Sequence, residues 1–417
     1  MSWWPRSYDG AVNQPNSGAL AYDGLDAGAR EALSALHAFV ESDIVPVAQA
    51  LDAADEYPEA IVNGLRGLGV FGFTIPRELG GQGHGLHAYC LAVEEIARGW
   101  MSVAGILNTH FIVSSMLLRF GTEEQRARFL PRLATGELRA AFSMTEPHCG
   151  SDVQAIRTHA VREGAEWVVT GEKRWQANGL RAGLMALLVK TDPEADPPHR
   201  GMTCLLLEKT PGAMREGGME ILGLLPKLGY LGIDSTAMRL EGHRLPADAV
   251  LGGEDGVGRG FQQMMSGVEV GRVNVAARAI GTARRAYELA MGYAHEREAF
   301  GQQLAELQAI QFKLADMATR IEAARLLAVQ AARAKDAGYR ADVETGMAKL
   351  FASEMCNEVV LEAMRIHGGN GYSKEYEIER LYRDAPMLLL GEGTSEIQRT
   401  IVARGLTRRW RDERDGT

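Results

Sequence analysis

A chain of 417 residues has room for two or three domains and an ample core. Its 46% hydrophobic and 24% charged residues are ordinary for a globular protein. A net charge of -9 and a pI near 5.7 argue against a nucleic-acid partner or a polybasic membrane anchor, so an anionic ligand needs a local basic site.

Residues 1–25, rich in Gly, Asn, Pro and Ser, read as a flexible N-terminal arm. The opening Met1-Ser-Trp-Trp-Pro lacks the basic start and apolar core of a signal peptide, and no run reaches the apolar length of a membrane span. Cys90, Cys149, Cys204 and Cys356 are scattered without CxxC or zinc spacing. They read as reduced, mostly buried thiols of a cytoplasmic protein, and no metal is expected.

Residues 26–139 read as an N-terminal helical domain. Leu33, Leu36, Val40, Ile44 and Val47 recur at helical spacing from Asp26 to Ala50, with Pro46 a kink or break. A second helix covers about Pro58 to Leu68, and Gly69 to Gly83 is a turn-rich connection. Helices resume at about His87–Arg98, Val103–Arg119 and Thr122–Leu133, where Thr122 and Gln125 form a capping box.

The pattern changes over residues 140–256. Ile156–Val161 and Trp167–Thr170 alternate about Glu163-Gly164, a hairpin signal. Leu184–Lys190, Met202–Glu208 and Thr236–Leu240 are further short apolar runs punctuated by Gly and Pro, so a middle β barrel or sandwich is expected. Over residues 257–417 three long stripes return, through Val273–Ala294, Ile310–Ala328 and Met347–Ile366, and a helix follows Thr394. These predict a C-terminal four-helix bundle, and the whole an α+β multidomain chain.

From Leu388 to Ala403, three leucines precede Gly391-Glu392-Gly393, and Ser395 with Gln398 reads as a capping box. Glu392 is thus held on a glycine turn between an apolar wall and a helix start. Burial would raise its pKa and the helix N-terminus would lower it, which suits a proton-abstracting carboxylate. The plainer reading is a helix-start acid facing water.

Four stretches, in order, carry a resemblance covering most of the chain from Leu33 onward. They are Phe142-Ser-Met-Thr-Glu-Pro-His-Cys-Gly-Ser-Asp152, Gly171-Glu-Lys-Arg-Trp-Gln-Ala-Asn-Gly179, and Arg297-Glu-Ala-Phe-Gly301 with Gln308 and Asp316. The fourth joins Ile366-His-Gly-Gly-Asn-Gly-Tyr372, Arg383-Asp384 and Gly391-Glu-Gly-Thr-Ser-Glu-Ile-Gln398, and Ile75 to Gly83 agrees with them. Together with the helical–β–helical order they resemble the acyl-CoA dehydrogenases, flavoenzymes that bind FAD between the β domain and the bundle.

The resemblance implies α,β-dehydrogenation of an acyl-CoA, with Glu392 taking the α-proton and the β-hydride going to flavin N5. The backbone N–H of Glu392 would hold the thioester carbonyl. Some members place the base where Gly271 stands here, so no rival carboxylate occupies it, and nearby Glu269 reads as a structural helix acid. FAD contacts would come from Phe142, Met144, Thr145, Gly150 and Ser151, from Trp175 and Ala177, and from Arg297, Phe300 and Gln308 toward a neighbouring subunit. Arg365, Gly368, Gly369, Thr394 and Glu396 would complete them. Ser151, Arg272, Gly391 and Gly393 would face substrate. Read alone, Thr145 and Ser151 are turn caps, Trp175 is core and Arg297 is a surface ion pair. His110 reads as a helix cap rather than a pocket residue.

Three positions depart from the family pattern. Glu396 stands where Gln is common, and Ala177 replaces a Thr or Ser that usually bonds flavin N5. Gly391 replaces a Tyr, which widens the pocket toward a branched or bulky acyl group. An electron-transfer flavoprotein as acceptor and a homotetramer, a dimer of dimers, are implied. A flavin oxidase or monooxygenase, or a non-catalytic acyl-binding paralogue, are the alternatives.

Overall fold

Residues 21–415 are described in a computed structural model of the chain. Most of the expected N-terminal arm, residues 1–20, lies outside them. Ala21 is buried, its carbonyl accepts from the His87 ring, and Arg30 donates to the Tyr22 carbonyl at 2.8 Å.

Asp26 caps helix α1 (Ala27–Phe39) by accepting from the Ala29 N–H at 2.7 Å. A π turn over Val40–Ile44 follows, and α2 (Ala48–Ala53) starts only beyond Pro46. Proline, which lacks the donor, divides the stripe there. Then come α3 (Glu59–Gly67), α4 (Leu86–Gly99), α5 (Met101–Phe120) and α6 (Glu123–Ala134). The capping box of α6 forms as expected: Gln125 N donates to Thr122 Oγ1 and Thr122 N to Gln125 Oε1, both at 3.2 Å. The expectation that no run is long enough for a membrane span fails at α5, which passes by length and composition. It is nonetheless buried along most of its length, as the central helix of a protein core.

Eight strands follow: β1 (Ala140–Ser143), β2 (His159–Glu163), β3 (Glu166–Ala177), β4 (Leu184–Lys190), β5 (Met202–Glu208), β6 (Arg215–Glu216), β7 (Met219–Leu224) and β8 (Ser235–Pro246). They make one mixed sheet in the order β1-β4-β2-β3-β8-β7-β6, with β5 on β4. The predicted hairpin closes with Glu163 opposite Glu166. β4 lies parallel to β1 and antiparallel to β5 and is buried on both faces, so both inner strands read as unbroken apolar runs.

The C-terminal region opens with α7 (Gly260–Glu296), 37 residues long. A small hairpin, β9 (Glu298–Ala299) and β10 (Gln302–Gln303), leads to α8 (Gln308–Asp336), α9 (Asp342–His367), α10 (Ile378–Leu390) and α11 (Ser395–Asp415). Alanines 276, 279, 283 and 286 of α7 are buried against neighbouring helices, and a Cβ at Gly281 would lie 2.1 Å from the Glu94 carbonyl of α4. One apolar core therefore runs through α4, α5, α7, α8 and α9, joining the N-terminal helices to the bundle. The chain has a helical N-terminal domain, a middle sheet domain and a helical C-terminal domain.

Candidate active site

Between α10 and α11 the chain turns through Gly391-Glu392-Gly393-Thr394. Glu392 has φ +54°, a left-handed conformation costly for a side chain with a Cβ. Gln398 holds it there, its Nε2 donating to the carbonyls of Glu392 and Gly393 at 3.0 Å each. The expected capping box of Ser395 and Gln398 does not form. The cap is one residue earlier, where Thr394 Oγ1 accepts from Ile397 N at 3.3 Å, and the Ser395 hydroxyl is buried without a described partner. Gln398 turns its amide nitrogen to the two turn carbonyls, and its Oε1, the atom a box would use, is buried without a described partner.

The Glu392 carboxylate turns inward, not toward water. Asn108 Nδ2 of α5 donates to its Oε1 at 2.9 Å. A Cβ built on Gly271 of α7 would lie 2.8 Å from its Oε2 and 2.9 Å from Ile112 Cδ1, so the glycine clears the volume that the carboxylate occupies. Glu396, at the first turn of α11, is the solvent-facing acid, 3.7 Å from Arg399. Glu269 is tied to Lys335 Nζ at 2.5 Å.

Burial pushes the Glu392 carboxyl above its ordinary pKa, while the charge of Arg278, the Asn108 hydrogen bond and the charges of Arg272 and Lys349 pull it back. Burial in turn lowers Lys349 to about 8 and lowers Arg272. Lys349 Nζ also donates to the Leu389 carbonyl at 3.3 Å, which anchors the end of α10. The result is a carboxylate more basic than usual, kept ionised by surrounding cations and fixed by one amide donor. Such a group can take a proton from a weak carbon acid. Asn108, Arg278 and Lys349 carried no signal in the sequence beyond being polar residues on apolar helices.

On the other side of α5, the residue after Asn108 ties the helix to the sheet. Thr109 Oγ1 donates to the Ala140 carbonyl of β1 at 2.9 Å and accepts from Asn178 Nδ2 at 2.8 Å. The loop after β1 is fastened from β3: Arg174 N donates to the Thr145 carbonyl at 2.9 Å, and Lys173 Nζ to the Met144 carbonyl at 3.2 Å. Glu146 completes the clamp, accepting from Lys173 Nζ at 2.9 Å, Arg157 N at 2.7 Å and Thr158 N at 3.0 Å.

Phe142 on β1 and Met144 and Thr145 on this loop stand half-buried, and Gly150 and Ser151 are exposed beyond them. Trp175 sits at a register shift of β3 with φ +65° and is 53% exposed, so it is not core. Ala177 is half-buried two residues on. A broad exposed indole beside half-buried apolar and hydroxyl side chains fits a flat ring with a polar rim, such as isoalloxazine. Among the described non-glycine residues six have left-handed backbone, and four of them (Trp175, Asn178, Phe300 and Glu392) are at or beside predicted site positions. Strain gathers where function needs it.

A second group lies elsewhere. Arg297, Phe300 and Gln308 follow the C-terminus of α7, and Phe300 is 93% exposed with φ +54°. Arg365, Gly368 and Gly369 are also exposed and lie at this end, because His367 stacks on Tyr293 at 4.4 Å and Asn370 Nδ2 donates to the Tyr293 hydroxyl at 3.0 Å. From Gly271 to Arg297 the helix rises roughly 40 Å. The structure therefore does not bring this group to Glu392 within one chain. Thr394 is half-buried at the cap of α11. His110 is neither a cap nor a pocket residue: it is mid-α5, fully buried, its ring bonded to the Phe71 carbonyl at 3.0 Å, and burial lowers its pKa to about 4.

Family models match nearly the whole described chain. They are the N-terminal domain of acyl-CoA dehydrogenase over residues 27–137, the middle domain over 141–243 and the C-terminal domain over 258–407. A relative named (2S)-methylsuccinyl-CoA dehydrogenase, from Cereibacter sphaeroides, is 38% identical over 408 residues, 95% of this chain and 73% of that protein. Butyryl-CoA dehydrogenase of Megasphaera elsdenii superposes with a TM-score of 0.87 at 32% identity, covering 92% of this chain and 99% of that one. A chain of the structure reported as the electron transferring flavoprotein of Acidaminococcus fermentans gives a TM-score of 0.88 at 32% identity, covering 93% and 99%.

Proposed function

The chain belongs to the acyl-CoA dehydrogenase family, whose members are FAD-dependent enzymes, and on that footing we propose that Glu392 removes the α-proton of an acyl-CoA thioester undergoing α,β-dehydrogenation. One observation carries this reading: a half-buried glutamate whose carboxylate has raised basicity, lies over Gly271 and is held by Asn108. Asn108 fixes one oxygen and leaves the other to take the proton. Arg272, Arg278 and Lys349 keep the resting group anionic, and the Glu392 N–H polarises the thioester carbonyl so that the α-carbon becomes acidic. Bound FAD supplies the hydride acceptor. Phe142, Met144, Thr145, Gly150, Ser151, Trp175 and Ala177 would hold it, with Thr394 and Glu396 on the same subunit.

The distance from Gly271 to the Arg297 group supports assembly. Arg297, Phe300, Gln308, Arg365, Gly368 and Gly369 would serve the FAD of another copy, in a homotetramer built as a dimer of dimers. An electron-transfer flavoprotein is the acceptor in this reading. Four buried free cysteines accord with a cytoplasmic setting.

Gly391 points to a branched or bulky acyl group. A Cβ there would meet only the flexible Met387 thioether, at 3.1 Å from sulfur, and its carbonyl, so the space of the absent side chain is bounded by a movable group. Ser151, Arg272 and Gly393 would share the substrate contact. Ala177 favours one second reading, an oxygen-using flavin oxidase, because it offers no hydroxyl near the ring. The test is anaerobic mixing of the yellow protein with a panel of thioesters. Bleaching without peroxide on later exposure to air, and fastest with a branched acyl group, is the expected result. Peroxide at one equivalent per turnover points to the oxidase, and preference for a straight short chain removes the branched substrate.

A further inference from the structure

The most buried cations of the site are not all accounted for by the proton transfer. Arg278 lies on α7 two turns beyond Gly271, on the same face, and is 2% exposed. Its Nη1 donates to the Tyr230 hydroxyl at 3.0 Å, with the guanidinium carbon 5.6 Å from that ring. Among the described residues its Nε has no acceptor and the guanidinium forms no ion pair. Between the two positions stands Asn274, whose Nδ2 donates to the Tyr89 hydroxyl at 2.7 Å. Tyr230 seals the end: a Cβ at Gly105 of α5 would lie 1.7 Å from its hydroxyl.

Counting outward from Glu392, the helix face thus runs glycine, amide, guanidinium. The far wall is polar and cationic where an ordinary fatty acyl tail needs an apolar one. Among the charges around Glu392, that of Arg278 acts on it most strongly, and the carboxylate charge it faces disappears when Glu392 takes a proton. A guanidinium would then be buried with no counterion, beside Arg272 and Lys349, at the moment when the site must be most stable. A second anion belongs there, and nothing in the described chain supplies it.

We propose that Arg278 binds a carboxylate at the far end of the acyl group, so that the substrate is the CoA monothioester of a short dicarboxylic acid. This rests on the reading of Glu392 as the base at the other end of the same pocket. Seven residues of helix rise roughly 10 Å, and the arginine side chain leans back toward the helix N-terminus, which shortens the span. The gap suits only a few carbons beyond the bond being oxidised. Tyr230 orients the guanidinium through one donor and leaves the remaining N–H groups for the two carboxylate oxygens.

The experiment compares butyryl-CoA with glutaryl-CoA, its ω-carboxylated counterpart, and methylsuccinyl-CoA, on the FAD-loaded enzyme and on Arg278→Gln, Arg278→Lys and Glu392→Gln. Flavin bleaching is followed anaerobically, so that the readout is the first oxidation step. The charged thioesters should exceed butyryl-CoA in kcat/KM by about 100-fold, the scale of a charge-assisted hydrogen-bonded pair. Arg278→Gln should erase that ratio, the charged thioesters losing about 100-fold more than butyryl-CoA, whose own rate falls only through the weaker support of the Glu392 anion, and Arg278→Lys should restore part of it. Equal losses for charged and neutral thioesters in Arg278→Gln overturn the proposal, because a fold-supporting or enolate-stabilising arginine does not read the distal group. Faster turnover of butyryl-CoA by the wild type overturns it too. Both of those results leave the base assignment intact. Undiminished bleaching in Glu392→Gln instead breaks the assignment on which the proposal rests.

Discussion

Glu392 is held between opposing pulls, and the pH dependence of turnover should show them. A base works when deprotonated, so kcat/KM must rise with pH through the pKa of the folded, substrate-free group. Burial puts that pKa above the ordinary glutamate value of about 4.3. Lys349, itself titrating near pH 8, carries its charge on the acid side of that value and favours the ionised base. Lys349→Met removes that help, and the acidic limb should move to higher pH than in the wild type. A limb unmoved by the substitution would show that Lys349 supports only the end of α10. At this scale the sequence was partly legible. Glu392, Trp175 and Phe300 stood in recognisable motifs, and all three prove to be strained, with left-handed backbone. Asn108, Arg278 and Lys349 were not legible, because only packing decides which polar residue of an apolar helix faces a partner across the core.

The helices act on the site by what they omit. α7 passes the carboxylate at Gly271, where even one methyl group would lie inside contact distance of Glu392 Oε2 and Ile112. Gly271→Ala should therefore displace the carboxylate and lower kcat about 100-fold, the usual consequence of a small misplacement at a reacting atom. Overpacking of this kind typically costs only about 1–3 kcal/mol of stability. Unchanged kcat in a folded Gly271→Ala protein would mean that the carboxylate is not confined by α7. Elements were the best-read level of the chain. The hairpin at Glu163–Glu166, the run Leu184–Lys190 and the cap of α6 match expectation, because turn chemistry and period set them locally. The short β1 and the cap of α11 escaped. Four residues show no period, and Gln398 is claimed by two carbonyls that no local rule anticipates.

Across the whole molecule, the helical–sheet–helical order follows from where the hydrophobic period switches, and the shared core through α4, α5 and α7 explains why Glu392 of the C-terminal region meets Asn108 of the N-terminal helices. The roughly 40 Å from Gly271 to Arg297 along α7 predicts that cofactor retention depends on assembly. Diluting the purified protein should release flavin, read as a rise in its fluorescence, in step with loss of the oligomer, and Arg297→Gln should shift both to higher protein concentration. A monomer that keeps its flavin would place the Arg297 group outside the cofactor site. The base itself is tested most directly by stopped-flow bleaching with a single acyl-CoA, comparing the wild type with Glu392→Gln. The account predicts a fall of about 10²–10⁴-fold in the bleaching rate with flavin content unchanged, the range for loss of a positioned acid–base group. A Glu392→Gln rate within a few fold of the wild type would contradict it.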